Sequence, residues 1–425
     1  MSQAIIQPFT PNLSSLPHHA PSAILQDITA PTNNMQVPPA RRSIAILGIR
    51  GIPARHGGFE TFAERLALHL ASLDWDIEVF CQDDPGPQPS GWPDRIKLTH
   101  LPPPLSGSAG SVLFDLTAMR QAVREPNRVL LVLGYNTALF GLLARLRGRV
   151  LVINMDGIEW RRAKWAAPIR AWFWCNERLA CWLGDHLIAD NPSIADHLAT
   201  RVNRSKITTI AYGADPVHSA PEEILAEWGL QHQGFALVVA RPEPENSILE
   251  IVRAYSSRPR PVPLVIVGPY AEIRSRYIRA VREAAGSQVR FIGPVYERDR
   301  LAALRLNCRL YLHGHQVGGT NPSLVEAMGA GCAVFAYDNP FNRSVGVDSI
   351  AYFHTQDELT NLLSAHLADG SAMLQHLRYA SRARHGAAFQ WPDILAVYSH
   401  FLERCWAGQV TQQIVAEAMK VAAAP

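Results

Sequence analysis

A glycine-rich loop near the start of the chain has the composition of a phosphate-binding turn. Residues 48–60 have the sequence GIRGIPARHGGFE, and Gly57 and Gly58 stand immediately before a helical pattern. Glycine lets backbone N–H groups approach a ligand closely, and a helix N-terminus favours an anion such as a diphosphate. The spacing is not the G-x-G-x-x-G of nicotinamide cofactor sites, which argues against an oxidoreductase or epimerase. A β–α turn without any ligand is the alternative.

A second loop, residues 318–328, combines a glycine pair with a helix start in the sequence GGTNPSLVEAM. Asn321 is the expected N-cap and Pro322 the first helical residue. Glu326 follows about one turn later, where it could reach the ribose of a nucleotide. The alternative is an ion pair with an internal arginine, because a charged side chain in an apolar helix needs a partner. The residues of this loop predicted to bind a nucleotide ligand are Gly318, Gly319, Thr320, Asn321, Ser323 and Glu326.

Two further side chains stand directly after predicted strands. Arg241 follows FALVVA and suits bidentate phosphate contacts, although a salt bridge with Glu243 or Glu245 is an equally common outcome. Asp156 is placed for general-base or hydroxyl-orienting work at the carboxyl end of its strand, or for capping the next helix. The predicted catalytic residues are Asp156, Arg241 and Glu326.

Tryptophan and basic residues alternate in residues 160–182, which have the sequence WRRAKWAAPIRAWFWCNERLACW. Such alternation is typical of a helix in a membrane interface. A partly buried helix with basic ends is the alternative. The predicted acceptor-side or membrane-side residues, which include three from the first glycine loop, are Arg55, His56, Glu60, Trp160, Arg161, Arg162, Trp172 and Trp174.

Short apolar runs alternate with helical patterns along the chain, which predicts parallel strands in right-handed β–α–β units. Seven such runs begin at SIAILG in residues 43–48, and a second series of five begins at FALVVA in residues 235–240. The fold class predicted is therefore α/β, with two doubly wound Rossmann-like domains facing a central cleft. We expect the helix N-termini at Gly58 and Pro322 to face each other there, with a diphosphate between them.

The same pattern predicts the domain boundaries. Residues 1–42 are rich in Pro, Ser, Ala and Asn and are expected to be a disordered leader. Residues 43–214 form the predicted first Rossmann-like domain and residues 215–390 the second. Residues 391–425 are a helix, which can pack back on the first domain, and a tail.

The composition limits the functional classes. A length of 425 residues with 48% apolar side chains is enough for two cores. A net charge of +3 gives no reason to expect nucleic acid as a partner. The six cysteines have neither C-x-x-C nor zinc spacing, so we expect free thiols in a reducing compartment and no metal site. No apolar run reaches about 18 residues, and no membrane-spanning helix is predicted.

Three blocks of the sequence together resemble bacterial rhamnosyltransferases of the family 4 glycosyltransferase group, which act in capsule and exopolysaccharide assembly. The blocks are ILGIRGIPARHGGFE (46–60), NMDGIEWRRAK (154–164) and GHQVGGTNPSLVEAM (314–328). The resemblance implies a GT-B fold, no metal or other cofactor, and donor binding mainly in the second domain. It also implies a lipid-diphosphate-linked oligosaccharide acceptor at the inner membrane leaflet, held mainly by the first domain.

The resemblance also assigns roles to single residues. Glu326 corresponds to the second glutamate of the family's paired-glutamate motif, which is expected on the donor ribose. Arg241 corresponds to the donor-phosphate arginine, and Gly57 and Gly58 correspond to the glycine loop near the phosphates. Asp156 falls where many members carry a catalytic-site histidine.

Two positions depart from the family pattern. The first glutamate of the paired motif is replaced by Gly318, and the lysine expected five residues after the arginine is replaced by Asn246. The rhamnosyltransferase-like subgroup shares the GGTNPS form, which implies a different donor mode rather than an inactive enzyme.

The predicted function is transfer of a deoxyhexose, L-rhamnose from dTDP-L-rhamnose, to a lipid-linked oligosaccharide by a cytoplasmic enzyme at the inner face of the membrane. The departing nucleoside diphosphate gains negative charge, which helix N-termini, glycine-loop amides and Arg241 would stabilise. A GDP- or UDP-sugar donor, or a catalytically silent role in polysaccharide assembly, is the alternative.

Overall fold

The computed structural model describes residues 41–55, 57–271 and 275–422, with residues 409–422 described by their backbone alone. The predicted leader therefore lies outside the described residues, apart from Arg41 and Arg42. The predicted site residue His56 lies outside them as well.

Seven parallel strands form the first sheet, in the order β3-β2-β1-β4-β5-β6-β7. Strands such as β1 and β4 are continuous apolar runs because helices cover both faces of the sheet. The strand order reverses between β1 and β4, which opens a crevice at their carboxyl ends. The strands are β1 (Ser43–Leu47), β2 (Asp76–Cys81), β3 (Ile96–His100), β4 (Val129–Leu133), β5 (Leu151–Asn154), β6 (His186–Ala189) and β7 (Ile207–Thr209).

Six parallel strands form the second sheet, in the order β10-β9-β8-β11-β12-β13, and its order reverses between β8 and β11. The two doubly wound sheets confirm the predicted α/β fold class. The sequence prediction missed the three-residue edge strand β13, which is too short to show an apolar run. The strands are β8 (Ala236–Val239), β9 (Leu264–Val267), β10 (Val289–Gly293), β11 (Leu310–His313), β12 (Val334–Tyr337) and β13 (Ala351–Phe353).

Helices follow most of the strands and cover the sheets. Those around the first sheet are α1 (Gly58–Ser72), α2 (Gly107–Ala122), α3 (Gly141–Leu146), α4 (Ala167–Leu183) and α5 (Pro192–Ala199). Those around the second sheet are α6 (Glu223–Ala226), α7 (Ile248–Ser256), α8 (Arg276–Glu283), α9 (Arg298–Asn307), α10 (Pro322–Gly329), α11 (Pro340–Gly346), α12 (Gln356–His366) and α13 (Ala372–Ala388).

The last helix, α14 (Trp391–Ala422), leaves the second sheet and packs against the first. Trp391, Tyr398 and Leu402 are buried in the same cluster as the β1 and α1 side chains. The ring of Tyr398 lies 4.6 Å from that of Phe62 on α1, measured between centroids. Among the helices described, none combines the length and apolarity needed to cross a bilayer.

Candidate active site

The N-termini of α1 and α10 face each other across the meeting point of the two sheets. A Cβ placed on Gly58 would lie 3.0 Å from the Pro322 ring and 3.6 Å from the ring of Tyr212. The prediction that these helix ends face each other agrees with this geometry. We expected a diphosphate between these two helix ends. In this domain arrangement there is no space for it, because the Pro322 ring and the α1 backbone are already in contact.

The two helix ends differ in what they can offer an anion. The residue before α1 is Gly57, which has no side chain to cap the N–H groups of the first turn. In α10 the Asn321 side chain accepts from the Ser323 N–H at 3.1 Å, and Pro322 has no N–H. The α1 end is therefore the better anion site of the two.

Arg241 lies exposed at the end of β8, and no ion pair forms to its guanidinium among the described residues. The acidic neighbours that could have taken it are engaged elsewhere. Glu243 pairs with Lys164 at 3.0 Å, and Glu245 lies 3.8 Å from Arg162. The salt bridge offered as an alternative role for Arg241 is thus not formed, and its guanidinium faces the cleft with its donors available.

Asn246 does not replace the family's donor-contacting lysine in function. It is buried, and its amide donates to the main-chain carbonyl of Arg241 at 2.9 Å. Asn246 therefore shapes the loop that presents Arg241. Gly318, at the other departure from the family pattern, borders open space: a Cβ added there would meet nothing within 4 Å.

His315 lies near two arginines that come from opposite domains. Burial, and after it the positive charges of Arg162 and Arg241, lower the pKa of His315 to about 3. Its ring stacks on His313 at 4.3 Å, and its Nδ1 has no hydrogen-bond partner among the described residues. His315 is thus a neutral ring that can donate to or accept from a ligand.

Arg161 and Arg162 have different surroundings although they are adjacent. Arg161 is exposed and lies over the Trp160 ring at 5.2 Å. Arg162 turns inward, and its Nε donates to Glu159 at 2.5 Å. Arg162 therefore belongs to the cleft and not to the exposed face that was expected to meet the membrane.

Two carboxyl groups end the neighbouring strands β5 and β6. Burial raises the pKa of Asp156 to about 6, with a further contribution from the charge of Glu159. Burial also raises the pKa of Asp190 well above its ordinary value, and the charge of Asp156 adds to the effect. The next helical turn begins after Ile158, so Asp156 does not cap it. A carboxyl with a pKa near 6 is suited to take up and release a proton near neutral pH.

Glu326 forms the internal ion pair that the sequence offered as an alternative. Its Oε2 accepts from Arg305 at 2.5 Å, and the Arg305 side chain is only 8% exposed against 36% for Glu326. The charge of Glu326 also raises the pKa of Tyr212, which lies beside Gly58. Glu326 is thus held near the contact between the helix ends. Its other oxygen, Oε1, can accept a hydrogen bond from a hydroxyl group.

The remaining predicted residues of the first glycine loop stabilise the loop itself. Glu60 is buried, and its Oε1 accepts from the Arg50 N–H at 3.2 Å. Arg55 is exposed, and its guanidinium donates to the Pro85 carbonyl at 3.4 Å. Neither side chain contacts the second domain through these bonds.

The tryptophans of residues 160–182 divide into a half-buried and an exposed group. Trp160 is half-buried and donates to Glu177 at 2.9 Å. Trp172 and Trp174 are 39% and 43% exposed. They lie on α4 with Trp182 and close to α3, where Leu142 and Leu146 are also exposed.

Sequence reasoning missed His315 and Asp190 as site residues. Both residues stand just after an apolar strand, which is the pattern that identified Arg241 and Asp156. His315 follows the strand LYLH, and Asp190 follows HLIA. The carboxyl ends of parallel strands meet at one edge of a sheet, so both positions could have been predicted as site residues. Within the described ranges, no group of three or more His, Cys, Asp or Glu side chains could hold a metal ion.

Two family models match the chain in tandem. Residues 41–215 match a model described as "Domain of unknown function (DUF1972)". Residues 222–384 match "Glycosyl transferases group 1". A sequence comparison with curated proteins finds no match.

Solved structures at low sequence identity share the fold. Sucrose-phosphate synthase from Thermosynechococcus elongatus gives a TM-score of 0.74 at 18% identity, over 87% of this chain and 100% of that one. HepE from Anabaena in complex with UDP and glucose gives 0.65 at 14% identity, over 85% and 99%. An alpha,alpha-trehalose-phosphate synthase (UDP-forming) from Burkholderia vietnamiensis gives 0.63 at 12% identity, over 85% and 100%. The chain therefore has the GT-B fold, and its second domain, residues 222–384, matches the glycosyl transferases group 1 family.

Proposed function

We propose that this protein transfers L-rhamnose from dTDP-L-rhamnose to a lipid-linked oligosaccharide in exopolysaccharide or capsule biosynthesis. The observation that carries the proposal is the guanidinium of Arg241, which forms no ion pair with any described residue and lies in the cleft between the two doubly wound sheets. The choice of L-rhamnose rests on the three sequence blocks that resemble rhamnosyltransferases. HepE forms complexes with UDP and glucose and with UDP-glucose, which makes a UDP-sugar the second candidate donor.

The proposed reaction exchanges one bond at the anomeric carbon for another. The acceptor oxygen bonds to that carbon while the bond to the diphosphate oxygen breaks. The hydroxyl proton passes to the Asp156 carboxylate. The negative charge that develops on the diphosphate is met by Arg241 and by the uncapped N-terminus of α1.

The donor needs more room than the contact between Gly58 and Pro322 provides. In this proposal the two domains separate slightly to admit the nucleotide sugar and then close on it. Glu326 holds the ribose through Oε1 while Arg305 holds its other oxygen. His315 and Arg162 also lie in the cleft, where in this proposal they contact the sugar or the acceptor.

The acceptor is proposed to reach the first domain from the inner face of the cytoplasmic membrane. Exposed tryptophan and leucine side chains of α3 and α4 lie beside exposed arginines, among them Arg145 and Arg170. The acidic residues of the same segment are engaged inside the protein, as with Glu177, which pairs with Arg201 at 3.0 Å. An apolar face with unopposed positive charge suits an anionic lipid surface.

Donor identity and the role of Arg241 can be tested together. Purified protein is assayed for hydrolysis and transfer with dTDP-L-rhamnose, UDP-glucose and GDP-mannose, and for the shift in melting temperature with each. We expect the dTDP-sugar to be preferred. Arg241→Ala should lower kcat/KM by about 100-fold with an unchanged circular dichroism spectrum, since it removes a donor aimed at the leaving group.

The matched control is Arg253→Ala, which removes an exposed arginine of α7 and should leave kcat/KM unchanged. Near wild-type transfer by Arg241→Ala would exclude that residue from the mechanism. Preference for UDP-glucose would replace the proposed donor with the second candidate.

A further inference from the structure

Asp190 reaches from the end of β6 to the glycine loop before α10 in the other domain. Its Oδ2 accepts from the Thr320 N–H at 3.0 Å, and its main-chain carbonyl accepts from the Thr320 hydroxyl. One residue of the first domain thus binds both polar donors of Thr320. The segment that it holds leads directly into Pro322 and α10.

Gly319 packs so closely on this carboxyl group that no side chain fits there. A Cβ added to Gly319 would overlap the Asp190 carboxyl, with Oδ1, Oδ2 and Cγ as its nearest atoms. The glycine is therefore required by a contact between the domains. This requirement is separate from any approach of the loop backbone to a phosphate group.

Next to Asp190, further polar groups join the two domains. The neighbouring Asn191 side chain donates to Ser344 at 2.8 Å and to the Phe341 carbonyl at 3.3 Å. Behind these bonds lies a cavity of about 250 Å³ that is lined by both domains and by α14. Asp190 Oδ1 is buried and has no hydrogen-bond partner among the described residues. Asp190 and Asn191 thus join the first domain to the glycine loop and to α11 through polar bonds.

We propose that Asp190 is a positioning residue that seats residues 318–320 against the first domain and so places the N-terminus of α10 in the cleft. Gly319 is the complementary half of this contact. The inference rests on the proposed function for its catalytic consequence, since a loop displaced by about 1 Å can cost roughly 100-fold in rate. Its structural part stands without that function.

Amide hydrogen exchange at Thr320 tests the contact directly. Asp190→Ala removes the acceptor of the Thr320 N–H, and we expect exchange there to be at least about tenfold faster. Asp190→Asn keeps an oxygen at the same place and should retain most of the protection. Asp196→Ala, which removes an exposed carboxyl of α5, is the control and should change nothing at Thr320.

A size exchange tests the pairing of Asp190 with Gly319. Gly319→Ala alone should speed exchange at Thr320 and lower the melting temperature, because its methyl group displaces the carboxyl. Adding Asp190→Ala to Gly319→Ala removes the overlapping atoms and should recover most of the lost melting temperature. Wild-type protection in Asp190→Ala, equal losses in the Asn and Ala variants, or no recovery in the double variant would each overturn the proposal.

These results separate the inference from the proposed function. Neither exchange nor melting requires a nucleotide sugar. If wild-type protein uses none of the three donors while the size exchange behaves as expected, the function fails and the contact stands. If wild-type protein transfers sugar while Asp190→Ala keeps wild-type kcat/KM, the positioning role fails alone.

Discussion

At the scale of single residues, burial decides which carboxyl groups can exchange protons near neutral pH. Asp156 and Asp190 lie at the ends of adjacent strands and are largely excluded from solvent. Burial therefore raises the pKa of each above its ordinary value. The charge of Asp156 contributes to the raised pKa of Asp190, so the two carboxyl groups influence each other. The pKa of Asp156 is about 6, so this group is mainly a carboxylate at neutral pH.

The pH dependence of the reaction should follow from the pKa of Asp156. Below about pH 6 Asp156 is protonated and cannot accept the acceptor's proton, so kcat/KM should fall about tenfold for each further pH unit. Above that value the rate should level off. Initial rates from pH 4.5 to 8.5 measure this limb, and Asp156→Asn should abolish it together with most of the activity. A wild-type profile that is flat through pH 6 would remove Asp156 as the base.

At the scale of elements, α4 packs against the core on one side and is exposed on the other. Phe173, Asn176 and Glu177 face the core, where Glu177 binds Trp160, His197 and Arg201. The other side of α4 carries Trp174 with the Arg178 guanidinium 3.3 Å from its ring centroid. The alternative of a partly buried helix is thus correct for one side of α4, and the exposed side is available for a lipid surface.

Vesicle sedimentation tests the exposed side of α4. Wild-type protein should pellet with vesicles that contain anionic lipid and much less with neutral ones, because both apolar and basic groups contribute. Trp172→Ala/Trp174→Ala should weaken binding to anionic vesicles by about tenfold or more. Tyr379→Ala, which removes an exposed ring of α13 in the other domain, is the control. Equal binding by the double variant, or no wild-type binding, would end the membrane proposal.

At the scale of the whole molecule, α14 ties the two domains into one stability unit. The helix starts beside the second domain, and its buried face completes the core of the first through Trp391, Tyr398 and Leu402. Tyr398 also accepts a hydrogen bond from Asn154 at 3.2 Å, next to Asp156. Loss of the α14 contacts should therefore weaken the first domain and disturb the cleft.

Leu402→Ala measures that contribution. Leu402 is fully buried, and its truncation should lower the free energy of unfolding by about 3 kcal/mol through lost burial and the cavity left behind. Val397→Ala, on the 49%-exposed side of the same helix, should cost less than about 1 kcal/mol. Urea unfolding followed by circular dichroism gives both values. A similar loss in the two variants would show that α14 does not depend on its buried face.

The sequence by itself determined the two doubly wound sheets, because each buried parallel strand is a continuous apolar run that is visible without coordinates. It also located the residues that follow those strands, including Asp156, Arg241 and Gly318. Tertiary structure alone decided which side chains have partners. Glu326 binds Arg305, Arg162 turns into the cleft, and Arg241 has no ion-pair partner in the described part of the chain. The contact of Asp190 with Gly319 and Thr320 joins residues about 130 positions apart. Local sequence patterns carry no information on such pairs, since packing between the domains brings them together.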